Sequence, residues 1–231
     1  MAITSFQKRK ILQVVNVFET GSITGNYAAV SLLLDGPYGS DGRPIRQITY
    51  GRSQTTEFGN LKALLQQYIT NNGKYAAQFA PYISKTGKRP SLCTDTNLLK
   101  LLRDAGNLDE VMKITQDLFF DQLYYQPALN WFTGMQFTLP LSLLVIYDSF
   151  IHSGTVPAKI RENFLEPVPK NSGDEKTWVK QYVNARHGWL ANSPKAVVRG
   201  TVYRTQCFKN AIGKNNWDLL LPINANGIII N

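Results

Sequence analysis

Two acids bracket a run that carries no other charge. In FETGSITGNYAAVSLLLDG, Glu19 and Asp35 stand near the two ends. Each falls at the end of an expected element, Glu19 closing a helix and Asp35 closing an apolar strand. Carboxyl groups so placed are either solvated chain ends or a general acid and a general base. In the second case one protonates a leaving oxygen while the other takes a proton from water. Glycoside hydrolysis is the reaction that a pair of carboxyl groups performs unaided.

Other chemistries find less support. GSITGN is not followed by the Gly-Lys-Ser/Thr of a phosphate loop. The chain has no G-x-S-x-G, no H-E-x-x-H and no Cys–His pair at a catalytic spacing. Cys93 and Cys207 are too few for a disulfide framework or a zinc site, although one bridge between them stays open. His152 and His187 lack ligand spacing, so neither a metal nor a cofactor is expected.

Lys and Arg outnumber Asp and Glu by 25 to 16, a net charge of +9. That excess suits plain solubility or attraction to a polyanion such as nucleic acid or bacterial wall. The basic residues are scattered rather than set among aromatics on one face, so nucleic acid is not an expected partner. FQKRKIL is basic and amphipathic and lacks the apolar core of a signal peptide. The longest apolar run, FTLPLSLLVIY, is too short to span a bilayer and reads as a buried helix. No membrane association is expected.

The acids need elements to hold them. Thr4 or Ser5 can cap a first helix, whose apolar face is Ile11, Val14, Val15 and Phe18 and whose stop is Gly21. A strand over residues 27–34 and a returning strand over 46–54 form a hairpin across the turn-rich DGPYGSDGRP. The remainder reads as mostly helical. Leu61, Leu64, Leu65, Tyr68 and Ile69 make one stripe, and Leu98 and Leu102 belong to a short helix. A longer helix runs over 108–125 and stops near Pro127. Further helices follow Pro140, Asp174 and Pro194, and NANGIIIN adds an edge strand. No repeat or linker interrupts the pattern, so residues 1–231 are read as one domain of α+β class, mostly helical.

Asp148 lies among Leu144, Val145, Phe150 and Ile151. A carboxylate on so apolar a helix needs a cationic partner. Arg186 shares the inward face of Trp178 and Tyr182, at steps of four. Arg199 stands among Ala196, Val197, Val198 and Val202. An Asp148–Arg186–Arg199 network is therefore expected, either as a fold-specifying salt bridge alone or as support for catalysis.

Taken together, these pieces resemble the chitosanases of glycoside hydrolase family 46 over nearly the whole chain. The first helix ending in Phe-Glu, Tyr27 eight residues before Asp35-Gly36, and Thr49 on the returning strand are similar to that family's N-terminal region. DQLYYQPAL, IYDSFIHSG and GDEKTWVKQYVNAR resemble its later segments in order and spacing. The resemblance implies a two-lobed, lysozyme-like α+β fold with a small β-hairpin near the N-terminus and a substrate cleft between the lobes. It implies an inverting endo-β-1,4-glycosidase that acts on chitosan as a secreted monomer without a cofactor. Glu19 would be the general acid, Asp35 the base, and Thr49 a holder of the attacking water. Asp148, Arg186 and Arg199 would position the acid.

The chain departs from the family pattern in two places. The compact family motif Asp-Gly-Arg-Gly-Tyr-Thr is replaced by a longer loop with a second Asp-Gly-Arg at Asp41, which makes Asp41 an alternative base. Placement at a strand end favours Asp35, because it fixes a side chain better than a loop does. Asn60 stands where the family carries an aspartate that binds a glucosamine amine, and nearby Glu57 is a candidate substitute. Asn60 and the positive charge keep a muramidase-like action on peptidoglycan as the alternative reading. A catalytically dead sugar-binding module is the third, and Glu19, Asp35 and Thr49 speak against it.

Overall fold

The computed structural model describes residues 3–52 and 54–231. The chain divides into two compact units, one comprising residues up to Thr24 and from Gln122 onward, the other Gly25–Asp121.

The first unit begins with α1, Ser5–Thr20. Thr4 and Gln7 form a reciprocal capping box, each side chain bonded to the other's backbone N–H, and Gly21 ends the helix at φ 67°. That left-handed turn is what glycine allows without strain. The unit resumes with α6 (Gln126–Gly134), the buried α7 (Pro140–Ser153), α8 (Ala158–Arg161), α9 (Glu175–Ala191), α10 (Ala196–Arg199) and α11 (Val202–Gly213). Every residue of α7 from Pro140 to Phe150 is buried. It packs against α1, α6, α9 and α11. The first turn of α7 starts after Leu139, which has no side chain able to cap it. Glu175, opening α9, does this instead: its carboxylate accepts from the N–H groups of Thr138 and Leu139 and from Ser142 Oγ at 2.6–3.1 Å. The NANGIIIN tail does not join the first sheet. It folds into its own hairpin, β4 (Ile223–Ala225) and β5 (Ile228–Ile230), against α1.

The second unit carries a three-stranded antiparallel sheet, β1 (Val30–Leu33), β2 (Gln47–Tyr50) and β3 (Thr55–Thr56), with β2 in the middle. Leu33 pairs with Gln47, Ser31 with Thr49, and Thr49 with Thr56. Opposed residues share a sheet face, so Ser31, Thr49 and Thr56 form a hydroxyl row with Gln47 beside it. Helices α2 (Leu61–Thr70), α3 (Ala76–Ile83), α4 (Thr96–Leu108) and α5 (Glu110–Phe120) complete the unit. The α4 helix closely approaches the segment just before β1 at Gly106, where a Cβ would meet the backbone of Tyr27 and Ala28. Tyr50 Oη then ties β2 to the Leu102 carbonyl at 2.8 Å.

The expected helix over 108–125 is split. It ends at Phe120, passes through a wide π-turn at Asp121–Tyr125, and restarts as α6. Pro127 sits in the first turn of α6, where its missing N–H costs nothing, so it opens a helix rather than closing one.

Candidate active site

The candidate residues fall into two groups, one in each unit. In the first unit, Glu19 occupies the last turn of α1, its side chain 11% exposed. Arg204 Nη2 holds Glu19 Oε1. Arg204 Nη1 donates to Asp148 Oδ1 at 2.7 Å, and Arg186 Nη1 donates to Asp148 Oδ2 at 2.7 Å. Asp148 and Arg186 are wholly buried, and Arg204 nearly so. Burial by itself would raise the Asp148 carboxyl, but the Arg186 and Arg204 guanidiniums outweigh it and hold Asp148 below the usual carboxylate range. Burial opposes the charge on Arg204, yet Glu19 and Asp148 together raise its pKa further. Two acidic and two basic groups alternate and form one continuous chain.

Arg199 is not part of it. It is exposed, and its Nη1 donates to the carbonyls of Ser193 and Pro194 at 2.7 and 3.0 Å. The expected single helix after Pro194 is two helices, and the break at Gly200–Thr201 resets the phase. The valines around Arg199 suggested an inward face, but Val197 is 65% exposed. Arg204 takes the expected role. It was legible only with α11 counted from Thr201, which places Arg204, Phe208 and Ala211 on one stripe at i, i+4 and i+7.

Two titratable neighbours line the same interior. His152, one turn after Asp148, has its imidazole pushed down to about 4, by burial first and then by Arg204 and Arg186. Cys207 is a free, buried thiol pushed up to about 12 by burial and by Asp148. Cys93 is also free, so the open question of a bridge is answered by two thiols. His187 hydrogen-bonds Thr205 Oγ1 at 2.8 Å. No group of three or more metal-ligating side chains occurs among the described residues.

In the second unit, Asp35 lies just past β1, exposed, with Oδ1 accepting from Gln47 Nε2 at 2.9 Å. Thr49 is 3% exposed, and its buried Oγ1 has no hydrogen-bond partner. Beyond Asp35 the loop continues as a narrow hairpin. Gly36 N–H bonds Ile45 O at 3.0 Å, Tyr38 bridges Pro44, and Gly39 N–H bonds Arg43 O at 2.7 Å. Asp41 sits at its tip, exposed, accepting the Arg43 N–H at 3.1 Å.

Glu57 does not serve as a substrate-binding carboxylate. It is fully buried. Its Oε2 accepts from Ser91 Oγ at 2.6 Å and Ile48 N–H at 3.3 Å, and its Oε1 accepts from Leu92 N–H at 2.8 Å. An acid beside a polar turn looks solvated in sequence. Here it fastens the segment before α4 to β2, and its acceptor capacity is spent on the protein's own donors. Asn60 is exposed at the N-terminus of α2, where its side chain does not cap the helix.

Residues 13–223 match the sequence model of glycosyl hydrolase family 46. A chitosanase of Bacillus subtilis (strain 168) is 27% identical over 238 residues, covering 95% of this chain and 81% of that protein. The native chitosanase from Bacillus subtilis MY002 matches in structure with a TM-score of 0.80, at 22% identity, over all of both chains. A family 46 chitosanase from Gynuella sunshinyii, solved with chitotetraose, matches with a TM-score of 0.82 at 22% identity, covering 99% of this chain and 98% of that one. The mostly helical fold with a small antiparallel sheet is thus one that glycoside hydrolases use. The chain belongs to glycosyl hydrolase family 46.

Proposed function

We propose that the protein cleaves the β-1,4 linkages of chitosan by a single, inverting displacement, with Glu19 as general acid and Asp35 as general base. The observation that carries this reading is the Glu19–Arg204–Asp148–Arg186 chain. A lone surface glutamate at a helix end turns freely. Glu19 is gripped at Oε1 by a guanidinium that is itself locked to a buried carboxylate. Its second oxygen is left to meet the leaving glycosidic oxygen. Such pre-set orientation is what a proton donor needs.

Asp35, at a strand end, takes a proton from water. Thr49, on the same sheet face as Gln47, has a hydroxyl that no protein group occupies, and we assign it the holding of that water, which must reach an oxygen now lying beneath the surface. The water then attacks the anomeric carbon as the C–O bond to the leaving sugar breaks, and Glu19 supplies its proton to that oxygen. No metal or cofactor enters the step. The polymer is met outside the cell, where we place the enzyme, acting as a monomer.

The likeness to chitosanases favours a glucosamine polymer, and Asn60 bears on how strictly acetylated sugar is refused. The test is hydrolysis of soluble chitosan beside purified bacterial wall, with early product followed by proton NMR. The expected result is release of the α-anomer from chitosan. An initial β-anomer overturns the single displacement. Clearing of wall with no cleavage of chitosan overturns the substrate in favour of a muramidase-like enzyme.

A further inference from the structure

Gln47 is the side chain that neither the mechanism nor the family motif accounts for. It stands two residues before Thr49, where the compact motif has glycine. It is 4% exposed, although its neighbour Asp35 is open to solvent. Both ends of its amide are engaged. The Phe58 N–H donates to Oε1 at 3.2 Å, and Nε2 donates to Asp35 Oδ1 at 2.9 Å.

The chemistry of the partners fixes the direction of the amide. A backbone N–H can only donate, so it must face the oxygen. A carboxylate can only accept, so it must face the NH2 group. Turning the amide over would break both bonds at once. Register places the contact well: Gln47 opposes Leu33, so Asp35 lies on its diagonal, within reach of a long side chain. Phe58 lies in the turn between β3 and α2, so the amide is anchored from outside its own strand.

We propose that Gln47 is a positioning residue for the reaction: it fixes the rotamer of Asp35 so that Oδ2, rather than a freely turning carboxylate, addresses the water beside Thr49. The inference rests on Asp35 being the base. Gln47 touches neither substrate nor water in this account. It acts through Asp35, by removing the rotation that an exposed aspartate at a strand end would otherwise have. A misplacement of about 1 Å costs on the order of 100-fold in rate, so its loss appears in turnover.

The experiment compares Gln47→Met and Gln47→Glu with Asp35→Asn in steady-state hydrolysis of glucosamine oligomers, alongside thermal melts. Gln47→Met keeps the length and removes both bonds. Gln47→Glu keeps the acceptor for Phe58 but sets a second carboxyl against Asp35, so the two repel or share one proton and Asp35 loses its neutral donor. Both variants are expected to lower kcat by about 10- to 100-fold with KM within about twofold. Gln47→Glu buries a second carboxyl beside Asp35, so its melting temperature is expected to fall; kcat of both variants is read at a temperature where the melts show them folded, which isolates positioning from folding. Wild-type kcat in a folded Gln47→Met, with Asp35→Asn inactive, overturns the inference and leaves the base assignment standing. An active Asp35→Asn overturns the base assignment itself. A raised KM with unchanged kcat shows that Gln47 belongs to substrate binding, and that too overturns the inference.

Discussion

Arg204 Nη1 lies 2.7 Å from Asp148 Oδ1, out of solvent, while its other terminal nitrogen grips Glu19. One guanidinium thus joins the acid proposed for catalysis to a carboxylate buried in the first unit. Arg204→Met strands Asp148 with Arg186 alone and releases Glu19. The expected cost is about 3–5 kcal/mol in urea unfolding, the range for breaking a buried pair, together with near-complete loss of activity. Arg199→Ala removes only two surface hydrogen bonds. It should stay within about 0.5 kcal/mol of wild type and remain active. If Arg199→Ala proved the damaging substitution, the network described here would be wrong.

Glu19→Gln keeps the shape and hydrogen-bonding reach of the acid but has no proton to give, so turnover should fall to a trace. Asp35→Asn should do the same by losing the base. Asp41→Asn, at the exposed tip of the hairpin, should retain most activity. A structure with bound oligosaccharide should place the Glu19 and Asp35 carboxyls about 6.5–9.5 Å apart, the room an attacking water needs. Direct contact between them, or an inactive Asp41→Asn beside an active Asp35→Asn, rules out the pairing.

Asn60 and Glu57 should separate cleanly. Asn60 is exposed and neutral, so Asn60→Asp should raise kcat/KM on fully deacetylated oligomers by about tenfold, if a new charge-assisted contact contributes about 1.4 kcal/mol in the transition state. Rates on partly acetylated oligomers should change less. An unchanged ratio between the two substrates means that position 60 does not read the amine. Glu57→Ala instead leaves the Ile48 and Leu92 N–H groups and the Ser91 hydroxyl without their acceptor. Its signature is a lower melting temperature, with KM little altered in the protein that remains folded.

Stability should depend on pH through His152. Its folded pKa, about 4, lies below the ordinary value of 6.5. As pH falls below about 6.5 the unfolded chain binds a proton that the folded chain refuses until about 4. The stability present above 6.5 is therefore lost progressively across that window, by on the order of 1–3 kcal/mol. Asp148, held below the usual range by its two arginines, adds a further loss only under more acidic conditions. Melting curves between pH 7 and 4 should show this slope in wild type and a flatter one in His152→Gln. Parallel slopes would remove His152 from the explanation.

Much of this was legible because local signals agreed with one another. Thr4, Gln7 and Gly21 frame α1 with a capping box and a left-handed stop, so Glu19 could be set at a helix end from spacing alone. A β-compatible run over 27–34 and the Asp-Gly turn located the first hairpin. What escaped were places where two elements settle matters between them. Nothing near position 57 in the chain announces that Ser91 and Leu92 will consume that carboxylate. Helix α3 contains Pro81 and buries only Phe79, too thin a stripe to declare itself. Arg199 and Arg204 are five residues apart on what reads as one helix. Only the break at Gly200 decides which of them turns inward, and no apolar periodicity marks it. Gln47 is the same case in the second unit, because its value lies in Phe58 and Asp35, partners from either side of its strand.

The cap on α7 has a consequence for the newly made chain. The helix Pro140–Ser153 is buried without a break from Pro140 to Phe150, and its first turn is closed by a side chain 36 positions beyond Leu139. At about 5–20 residues per second, that stretch takes roughly 2–7 s to synthesise. During that interval this apolar segment has been made without the residue that finishes its first turn and without α9 and α11 to cover it. Yield in a cell therefore depends on whatever shelters residues 140–153 until Glu175 arrives. A substitution at Glu175 would be felt first as lost soluble protein, before any change in the chemistry of the enzyme that survives.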